Sequence, residues 1–390
     1  MESTSPKDDS LCSNESENSA AAWLRFVRES RWSRTQKHRL LREIGQPGII
    51  YQHSDTAIRQ VLQQVGKTAA DQARPRAPDQ RTLTADKQWL LQSGHHLVRF
   101  TDSAYPESLR EIHNPPIAFF ASGDLACLQR PAIAIVGSRR PTPVGSQFAK
   151  TLARDLATLG LTVVSGLALG IDGDAHRGAL AVEGATVAVM AGGIDQVYPS
   201  RHRRLYQQVE QQACVISEHP PGITARRHSF PQRNRIVSGL AAGVVIIEAA
   251  ERSGTLITAR LAMEQNREVM VVPGSVLSAQ YRGSHQLIQQ GAALVRDAQD
   301  VLEQLPASQL AGLGSPKIVA TREHPQPADN RRKKGGEQPL LAQLSDQPTS
   351  IDELILASGL TASEVSSMLL LLELEGEIAV ADNGGYVRLS

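Results

Sequence analysis

The chain has 390 residues, more than a usual single domain, which predicts two or three folded units, the largest with a full hydrophobic core. Hydrophobic residues make up 41% and charged residues 21%, as in ordinary globular proteins, and the formal net charge of +1 does not by itself indicate a polyanionic partner. Three scattered cysteines, Cys12, Cys127 and Cys214, exclude a disulfide framework and lack metal-ligand spacing, so they favour a reducing compartment.

The N-terminal region predicts a tail followed by a small helical domain. Residues 1–20 are acidic and rich in Ser and Asn, without the basic and apolar regions of a signal peptide, and predict a disordered tail. Apolar residues recur at helical spacing over residues 21–65 and predict a helical domain, whereas the Ala, Arg and Pro of residues 66–82 predict a linker. No apolar run approaches the length of a membrane helix, so we expect a cytoplasmic protein without a membrane partner.

Residues 83–305 predict the main α/β domain. It opens with a helix over Asp86–Gly94, a strand over His96–Phe100 and a helix over Glu107–Ile112. Six apolar strands then follow, at Ala132–Val136, Thr162–Val164, Thr186–Met190, Cys214–Ser217, Val244–Ile247 and Val269–Val272. Helices are predicted between or after them, at Gly145–Leu159, Asp174–Val182, His202–Gln211, Arg235–Ala241 and Thr255–Asn266. This alternation predicts a Rossmann-like, mostly parallel sheet with helices on both faces.

The C-terminal region predicts a flexible linker and a winged helix. Residues 306–337 contain Pro, Gly and the basic run Arg331–Lys334, which is typical of a tether. Within residues 338–390, two capping-box sequences open short helices, and two strand-like pieces flank a turn. Residues 361–377 carry several glutamates and no Lys or Arg, so we expect this winged helix to contact protein rather than a phosphate-lined DNA groove.

The basic residues of the main domain are almost all arginines. Residues 131–305 contain sixteen arginines and one lysine, Lys150, against fourteen acidic residues. Arginine suits phosphate because its planar guanidinium donates in a fork and stacks on bases. Codon usage in a GC-rich genome produces the same ratio, so the positions of the arginines decide the argument.

The first candidate anion site follows the first parallel strand, at Gly137, Ser138 and Arg139. Thr142 and Pro143 are suited to start the next helix, whose free N–H groups predict an anion site at the carboxyl edge of the sheet. Gly137 allows a close backbone approach, and Arg139 is positioned to close on a phosphate. The alternative is that this glycine serves only tight helix packing.

Common nucleotide motifs are missing from the sequence. The glycines do not follow G-x-G-x-x-G, and the second strand ends in Ser165-Gly166 without an acidic residue for a ribose hydroxyl. No Walker A motif is present. The sequence therefore argues against a dinucleotide cofactor and against ATP hydrolysis by a P-loop, and we expect no cofactor.

Several polar residues near strand ends have two interpretations. Ser253-Gly254-Thr255 predicts either a second anion-binding turn or a simple helix cap. For Asp172, Asp174 and His176 we favour capping and packing over an acid/base pair or a metal site, because no further ligand lies at metal spacing. Glu218 and Glu248 are suited to catalysis or to binding loop amides. No nucleophile and base pair is evident, so no catalytic residue is assigned.

Residues 220–234 give the least ambiguous signal. This predicted loop and its border surround one aromatic residue with basic and amide side chains, namely Arg226, Arg227, His228, Phe230, Arg233, Asn234 and Arg235. Phosphate contacts around a base-stacking platform are typical of single-stranded nucleic-acid binding. The alternative places Phe230 in the core and some of the arginines in salt bridges.

These motifs resemble the DprA (Smf) family, the DNA-processing proteins of natural transformation. The resemblance is dense over residues 102–305 and looser in the flanking domains, where it implies a SAM-like helical module and a winged helix. The matching segments are Ile135–Arg139, Ser165–Asp172, Ala175–His176, Gly192–Asp195, Tyr198–Pro199, Ser217–Glu218, Phe230–Arg235, Glu248–Ala249, Ser253–Thr255 and Val272–Gly274.

The resemblance implies a homodimer that binds and protects single-stranded DNA and helps to load RecA, without established catalysis. It implies phosphate binding by Gly137 and Arg139, a basic contact at Arg227 and base stacking on Phe230. The sequence departs from the family at Arg227, where Lys is common, and at His202, where Asn is usual.

The residues that we expect to bind single-stranded DNA are Gly137, Ser138, Arg139, Ser165, Gly166, Arg226, Arg227, Phe230, Arg233, Asn234, Arg235, Gly254 and Thr255. The competing interpretations are a nucleotide-processing enzyme of the phosphoribohydrolase type and a pure protein-interaction scaffold. The first requires a catalytic Glu just after its Gly-Thr turn, where this chain has residues 256–259, Leu-Ile-Thr-Ala.

Overall fold

A computed structural model describes residues 20–30, 32–63, 79–310, 338–341, 343–345, 347–381 and 384–389. The predicted tail, most of the first predicted linker and the basic run Arg331–Lys334 lie outside the described residues. The domain boundaries that were drawn through those segments stay predictions.

The N-terminal helices form a small domain with its own aromatic core. They comprise α1 (residues 20–28), α2 (Arg34–Glu43), α3 (Pro47–Ile50) and α4 (Asp55–Gln63). Trp23, Phe26, Trp32 and Leu40 are buried together, and this core continues onto Ile117 and Ala118 at the edge of the sheet. The helical domain therefore packs directly on the sheet that follows.

Among the described residues, nine strands form one sheet. They are β1 His95–Arg99, β2 Ala118–Gly123, β3 Ala132–Gly137, β4 Thr162–Ser165, β5 Thr186–Gly193, β6 Cys214–His219, β7 Gly243–Ile247, β8 Glu268–Val271 and β9 Ala293–Leu294. Their order is β1-β2-β6-β5-β4-β3-β7-β8-β9, with antiparallel pairing of β1 with β2 and of β2 with β6, and parallel pairing elsewhere.

Helices cover both faces of this sheet, as predicted. The helices of this domain are α5 Gln80–Leu90, α6 Glu107–Arg110, α7 Pro143–Thr158, α8 Ile171–Leu180, α9 Arg203–Gln212, α10 Ser229–Leu240, α11 Thr255–Glu264, α12 Arg282–Gln289, α13 Ala298–Glu303 and α14 Ala307–Leu310. Helices α7, α8 and α13 bury one face with Ile133 and Ile135, while α10 and α11 bury the other with Ala134 and Val136. Alternate residues of β3 thus point into two cores, which explains its unbroken apolar sequence.

The structure corrects several predicted elements. Strand β2 was not predicted, although its residues are almost entirely buried against β6. Helix α5 begins at Gln80 rather than at Asp86, and α10 begins at Ser229 rather than at Arg235. Pro231 lies in the first turn of α10, which tolerates proline because an N–H at this position would have no intrahelical acceptor.

Strands β3 and β7 lie side by side at the point where the strand order reverses. From β3 the chain moves to one side through β4, β5 and β6, and it returns to the other side of β3 at β7. Helix α7 follows the carboxyl end of β3, and helix α11 follows the carboxyl end of β7. A crevice at such a switch point is the usual ligand site of an open α/β sheet.

The C-terminal residues form a winged helix. It contains α15 (Gln338–Leu341), α16 (Ile351–Ser358), α17 (Ala362–Glu375) and the hairpin of β10 (Ile378–Val380) and β11 (Tyr386–Arg388). Both predicted capping boxes are present, at Ser350 with Glu353 and at Thr361 with Glu364. No single helix among the described residues is long and apolar enough to cross a membrane, although the bent pair α16 and α17 passes by length and composition alone.

Candidate nucleic-acid interface

A cleft of about 700 Å³ opens at the β3–β7 switch point. Most of the side chains that were predicted to bind DNA line it. They are Gly137, Ser138, Arg139, Arg227, Phe230, Arg233, Asn234, Gly254 and Thr255. The parallel sheet therefore brings together residues that lie more than a hundred positions apart in the chain.

The turn after β3 is fixed by backbone hydrogen bonds on both sides. The N–H of Ser138 donates to the carbonyl of Ile247 at 3.2 Å, and the carbonyl of Ser138 accepts from the N–H of Ile171 at 3.1 Å. A Cβ on Gly137 would collide with the Ile247 carbonyl, so this glycine is required for close strand packing. Arg139 follows this rigid turn and is exposed.

Arg139 extends over the ring of Phe230. Its guanidinium carbon lies 5.5 Å from the ring centroid, within the range of a cation–π contact. Tyr198 meets the same ring edge-on, with centroids 5.6 Å apart, and its side chain is 59% exposed. One charged group and two aromatic rings thus share one side of the cleft.

Phe230 lies in the first turn of α10, where it is half-buried. The turn begins with reciprocal bonds, since Arg226 N–H donates to Ser229 Oγ at 3.2 Å and Ser229 N–H donates to the Arg226 carbonyl at 2.9 Å. Arg226 and Arg227 precede it with exposed side chains, and of the two only Arg227 lines the cleft.

Arg233 is a structural residue as much as a cleft residue. Its Nη1 donates to the carbonyl oxygens of Gly166 and Val189, and its residue surface is 7% exposed. Burial raises the pKa of the neighbouring Asp172, and the charge of Arg233 opposes that rise. Asp172 in turn accepts from the N–H groups of Gly166 at 3.2 Å and Ala168 at 3.4 Å. The buried pair holds the loop between β4 and α8.

Arg235 does not reach the cleft. Its Nη2 donates to Glu218 Oε2 at 2.5 Å, and Arg34 of α2 pairs with the same carboxylate, Nε to Oε1 at 2.7 Å. Arg235 was expected to bind DNA because it borders the basic loop of residues 220–234. In α10 its side chain is instead directed to Glu218, which also pairs with Arg34 of the N-terminal domain. Glu218 is thus held in ion pairs.

Ser165 and Gly166 have structural roles. Ser165 Oγ is buried and donates to the Ile135 carbonyl at 2.6 Å. Gly166 lines a smaller cavity beside the cleft, where a Cβ would collide with the guanidinium of Arg233. Ser165 therefore has its hydroxyl engaged within the protein, and Gly166 has no room for a side chain that could contact a phosphate.

The turn after β7 is open toward the cleft. Gly254 is the N-cap of α11 and makes no side-chain cap bond, and a Cβ built on it meets nothing within 4 Å. Thr255 Oγ1 donates to the Gly137 carbonyl at 3.0 Å, which ties this turn to the turn after β3. The N–H of Thr255 donates to Ser253 Oγ at 3.1 Å, and the positive end of α11 faces the cleft beside the open space at Gly254.

The start of α7 is occupied by the protein itself, which corrects the predicted anion site there. Glu248 is fully buried, and its carboxylate accepts from Thr142 N–H at 2.9 Å, from Thr142 Oγ1 and from Tyr281 OH at 3.0 Å. A Cβ on Gly145 would collide with the same carboxylate. The sequence could not reveal this, because Glu248 comes 106 residues after Thr142.

The Asp172, Asp174 and His176 group forms no metal centre, and no cluster of three potential ligands occurs within the described ranges. His176 Nδ1 bonds Thr186 Oγ1 at 2.8 Å, and burial lowers the pKa of His176 to about 3, so its ring is neutral at pH 7. Asp174 accepts from Ser146 Oγ at 2.5 Å and pairs with Arg177. These contacts pack the helix and hold the loop before it. The expected cap by Asp172 is wrong, because Gly170 is the N-cap of α8 and makes no side-chain cap bond, whereas Asp172 lies in the first turn and bonds the loop amides.

Two features of the site were missed from the sequence. Tyr198 belongs to the aromatic pair, and the smaller cavity beside Phe230 includes Ala168, Leu169 and Gln196. An aromatic residue shortly after the end of β5 was a usable signal, because the carboxyl ends of parallel strands share one edge. The shape of the cavity depends on loop packing and had no sequence signal.

Comparison with protein-family models places this chain in a known family. Residues 96–306 match the model for DNA recombination-mediator protein A, and residues 323–384 match the model for the DprA winged helix domain. The protein Smf of Escherichia coli is 38% identical over 84% of this chain and 87% of its own length. The DNA processing protein DprA of Bacillus subtilis is 39% identical over 62% of this chain and 79% of its own length.

Solved structures agree with this assignment. DNA processing protein A from Streptococcus pneumoniae superposes with a TM-score of 0.63 at 32% identity, covering 73% of this chain and 98% of its own. DNA processing protein A from Helicobacter pylori, whose structure was described for its single-stranded DNA binding mode, gives a TM-score of 0.50 at 30% identity. It covers 54% of this chain and 97% of its own.

Proposed function

The chain belongs to the DNA recombination-mediator protein A family, known as DprA or Smf, and on that premise we propose that the β3–β7 cleft binds single-stranded DNA. The family's role is that of a DNA-processing recombination mediator. The observation that carries the proposal for this cleft is the exposed guanidinium of Arg139 over the half-buried ring of Phe230. A cation beside an aromatic platform suits one nucleotide of a single strand, with its phosphate and its unpaired base.

Each part of the cleft has a proposed role. Arg139 binds a backbone phosphate, and Phe230 with Tyr198 stacks against bases. Arg227 and Arg226 attract the strand from an exposed position, and Gly254 lets the backbone approach the positive end of α11. Arg233, Asn234, Gly166 and Ser165 shape the loops that carry these contacts, and Arg235 anchors α10 to Glu218.

We further propose that the protein acts as a homodimer and helps to load RecA on the strand that it protects during natural transformation. Three apolar residues of α12 and β9, Leu287, Ile288 and Leu294, are suited either to the core or to a dimer surface. Leu287 is buried in the core, whereas Leu294 is 46% exposed and is the better candidate for such a contact.

The experiment that tests the proposed function measures binding of a labelled dT oligonucleotide, in single-stranded and duplex form, over a series of salt concentrations. We expect preference for the single strand, little sequence preference and affinity that falls steeply with salt. The same samples are assayed for release of base from nucleoside monophosphates, which we expect to be absent. Base release without oligonucleotide binding would favour the phosphoribohydrolase interpretation instead.

For the winged helix we propose contact with protein rather than with DNA. Its longest helix, α17, carries Glu364, Glu373 and Glu375 and no basic residue. Deletion of residues 338–390 is expected to leave single-strand affinity unchanged within about twofold, because no phosphate contact is lost. A large loss of affinity would assign DNA binding to this domain.

A further inference from the structure

Three donors from two segments converge on the carboxylate of Glu248 at the floor of the cleft. The donors are the backbone N–H and hydroxyl of Thr142, which begins α7, and the hydroxyl of Tyr281 from the segment after β8. Gly145, in the first turn of α7, leaves the space that the carboxylate fills. The carboxylate thus occupies the position in front of a helix N-terminus where a Rossmann-like sheet otherwise places a phosphate.

The carboxylate is not needed merely to cap the helix. Thr142 already provides the cap, because its Oγ1 accepts from Gly145 N–H at 3.0 Å. Glu248 also adopts φ 56°, a left-handed conformation that costs a non-glycine residue about 1 kcal/mol or more. Its burial further raises the pKa of the carboxyl group. The fold therefore accepts backbone strain and desolvation in order to hold a carboxylate at this point.

We propose that Glu248 determines the ligand specificity of the cleft by standing in for a phosphate, so that free phosphomonoesters are rejected and the phosphodiesters of a strand are accepted. This inference rests on the proposed single-strand binding. The rejected class comprises phosphomonoesters such as nucleoside monophosphates, which share the base, the sugar and a phosphate with the strand.

The physical reason is a difference in charge and in approach. A phosphomonoester is close to a dianion at pH 7 and is best bound at a helix N-terminus, whereas an internal phosphodiester is a monoanion. A buried negative charge is weakly screened, so it repels the dianion more strongly than the monoanion. Arg139 and the open start of α11 still attract a diester from the exposed side of the cleft.

The test uses full-length wild-type protein, Glu248→Gln and a control, Glu268→Gln. Gln has the same shape as Glu and retains hydrogen-bonding groups toward Thr142 and Tyr281, but it lacks the charge. Glu268 is exposed at the start of β8, at the opposite edge of the sheet, so the control removes the same charge far from the cleft. Each protein is titrated with labelled oligo-dT, and thymidine 5′-monophosphate is then added as competitor.

We expect the ratio of monophosphate affinity to oligonucleotide affinity to rise about tenfold or more in Glu248→Gln, because one close repulsion is removed, and to be unchanged in Glu268→Gln. The inference would be overturned if this affinity ratio were unchanged in folded Glu248→Gln. The same holds if the monophosphate displaced no oligonucleotide from that variant. Failure of wild-type protein to bind the oligonucleotide would instead overturn the proposed function.

A second measurement needs no variant. The wild-type protein is compared for competition by thymidine 5′-monophosphate and by its methyl ester, a monoanionic diester. We expect the ester to compete at least as well as the monophosphate, whereas a site that selects only for negative charge prefers the dianion. Stronger competition by the monophosphate contradicts the role of Glu248 even if the Gln variant does not fold.

Discussion

Helices α7 and α11 begin side by side at the same edge of the sheet, yet their N-termini have opposite environments. At α7, Thr142 caps the helix and Glu248 fills the space beyond it. At α11, the N–H of Thr255 donates to Ser253 Oγ of the preceding turn, but no carboxylate fills the space beyond, and Gly254 faces open space in the cleft. Both follow a strand and a Gly- or Ser-containing turn, so the sequences look alike. Whether a helix N-terminus is free to bind phosphate therefore depends on the side chains that the rest of the fold places in front of it.

The largest effect is expected from removing the support of the loop between β4 and α8. Arg233→Ala deletes the hydrogen bonds to Gly166 and Val189 and leaves Asp172 buried without its cation. A buried charge that loses its compensating neighbour costs about 3–5 kcal/mol, and we expect the free energy of unfolding to fall by that amount in urea denaturation.

The control for this prediction is Arg227→Ala, which removes an exposed arginine near the same helix start and should leave unfolding unchanged. If Arg233→Ala retained full stability while losing DNA affinity, Arg233 would be a DNA contact and not a structural residue.

Phe230→Ala tests the aromatic platform that both turns face. Base stacking on an aromatic side chain contributes about 1–3 kcal/mol, so single-strand affinity should fall by about fivefold or more, with little change in preference among sequences. Phe230→Trp should restore most of the affinity, because it returns an aromatic face under Arg139. Equal affinity of the Ala variant in an equilibrium oligonucleotide titration would exclude stacking at this position.

A pair of glycine substitutions tests whether the start of α7 is filled and the start of α11 is open. In Gly145→Ala the new methyl group meets the Glu248 carboxylate, and overpacking of this kind costs about 1–3 kcal/mol of unfolding free energy.

In Gly254→Ala the methyl group enters open space at φ −61°, so stability should stay within about 0.5 kcal/mol while DNA affinity falls. Thermal or chemical denaturation of both variants, together with oligonucleotide titration, measures the two effects. Equal stability losses would mean that the two helix starts are equally crowded.

The smallest effect is a pH dependence at α7. Burial raises the pKa of Glu248 in the folded state above its usual value of 4.5. The folded protein therefore holds this proton more tightly than the unfolded chain, and the associated stability is lost as pH rises through the folded pKa.

Glu248→Gln lacks this titration, so its stability relative to wild-type protein should increase as pH is raised from about 4 toward 7. Denaturation at several pH values measures the difference. If the stability of Glu248→Gln relative to wild-type protein stays constant or decreases as pH rises, the pKa of Glu248 is not raised.

Much of the architecture was predictable because its signals are local. The β3 and β7 sequences are continuous apolar runs, and the capping boxes at Ser350 and Thr361 gave both helix starts of the winged helix. Strand β2 was missed because Phe119 and Phe120 are buried on an edge-adjacent strand without regular alternation. The start of α10 was placed at Arg235 instead of Ser229, because the basic residues before Arg235 were interpreted as a loop.

The site was predictable in part for the same reason. Arg139, Phe230 and Gly254 follow from strand ends and from the carboxyl edge that they share. The division of the arginines between exposed and buried positions was not predictable, because Arg235 meets Glu218 and Arg34 only in the folded chain. The role of Glu248 likewise depends on contacts between distant segments.

The most direct test of a DNA site at the β3–β7 switch point is the affinity of Arg139→Ala for a labelled single-stranded oligonucleotide, measured over a range of salt concentrations. A lost charge-assisted phosphate contact predicts about tenfold or more weaker binding and a salt dependence that is shallower by about one phosphate contact. Arg154→Ala, which removes a half-buried arginine from the C-terminal part of α7, should change neither. Unchanged affinity in folded Arg139→Ala, or an equal loss in both variants, would contradict a DNA site at the β3–β7 switch point.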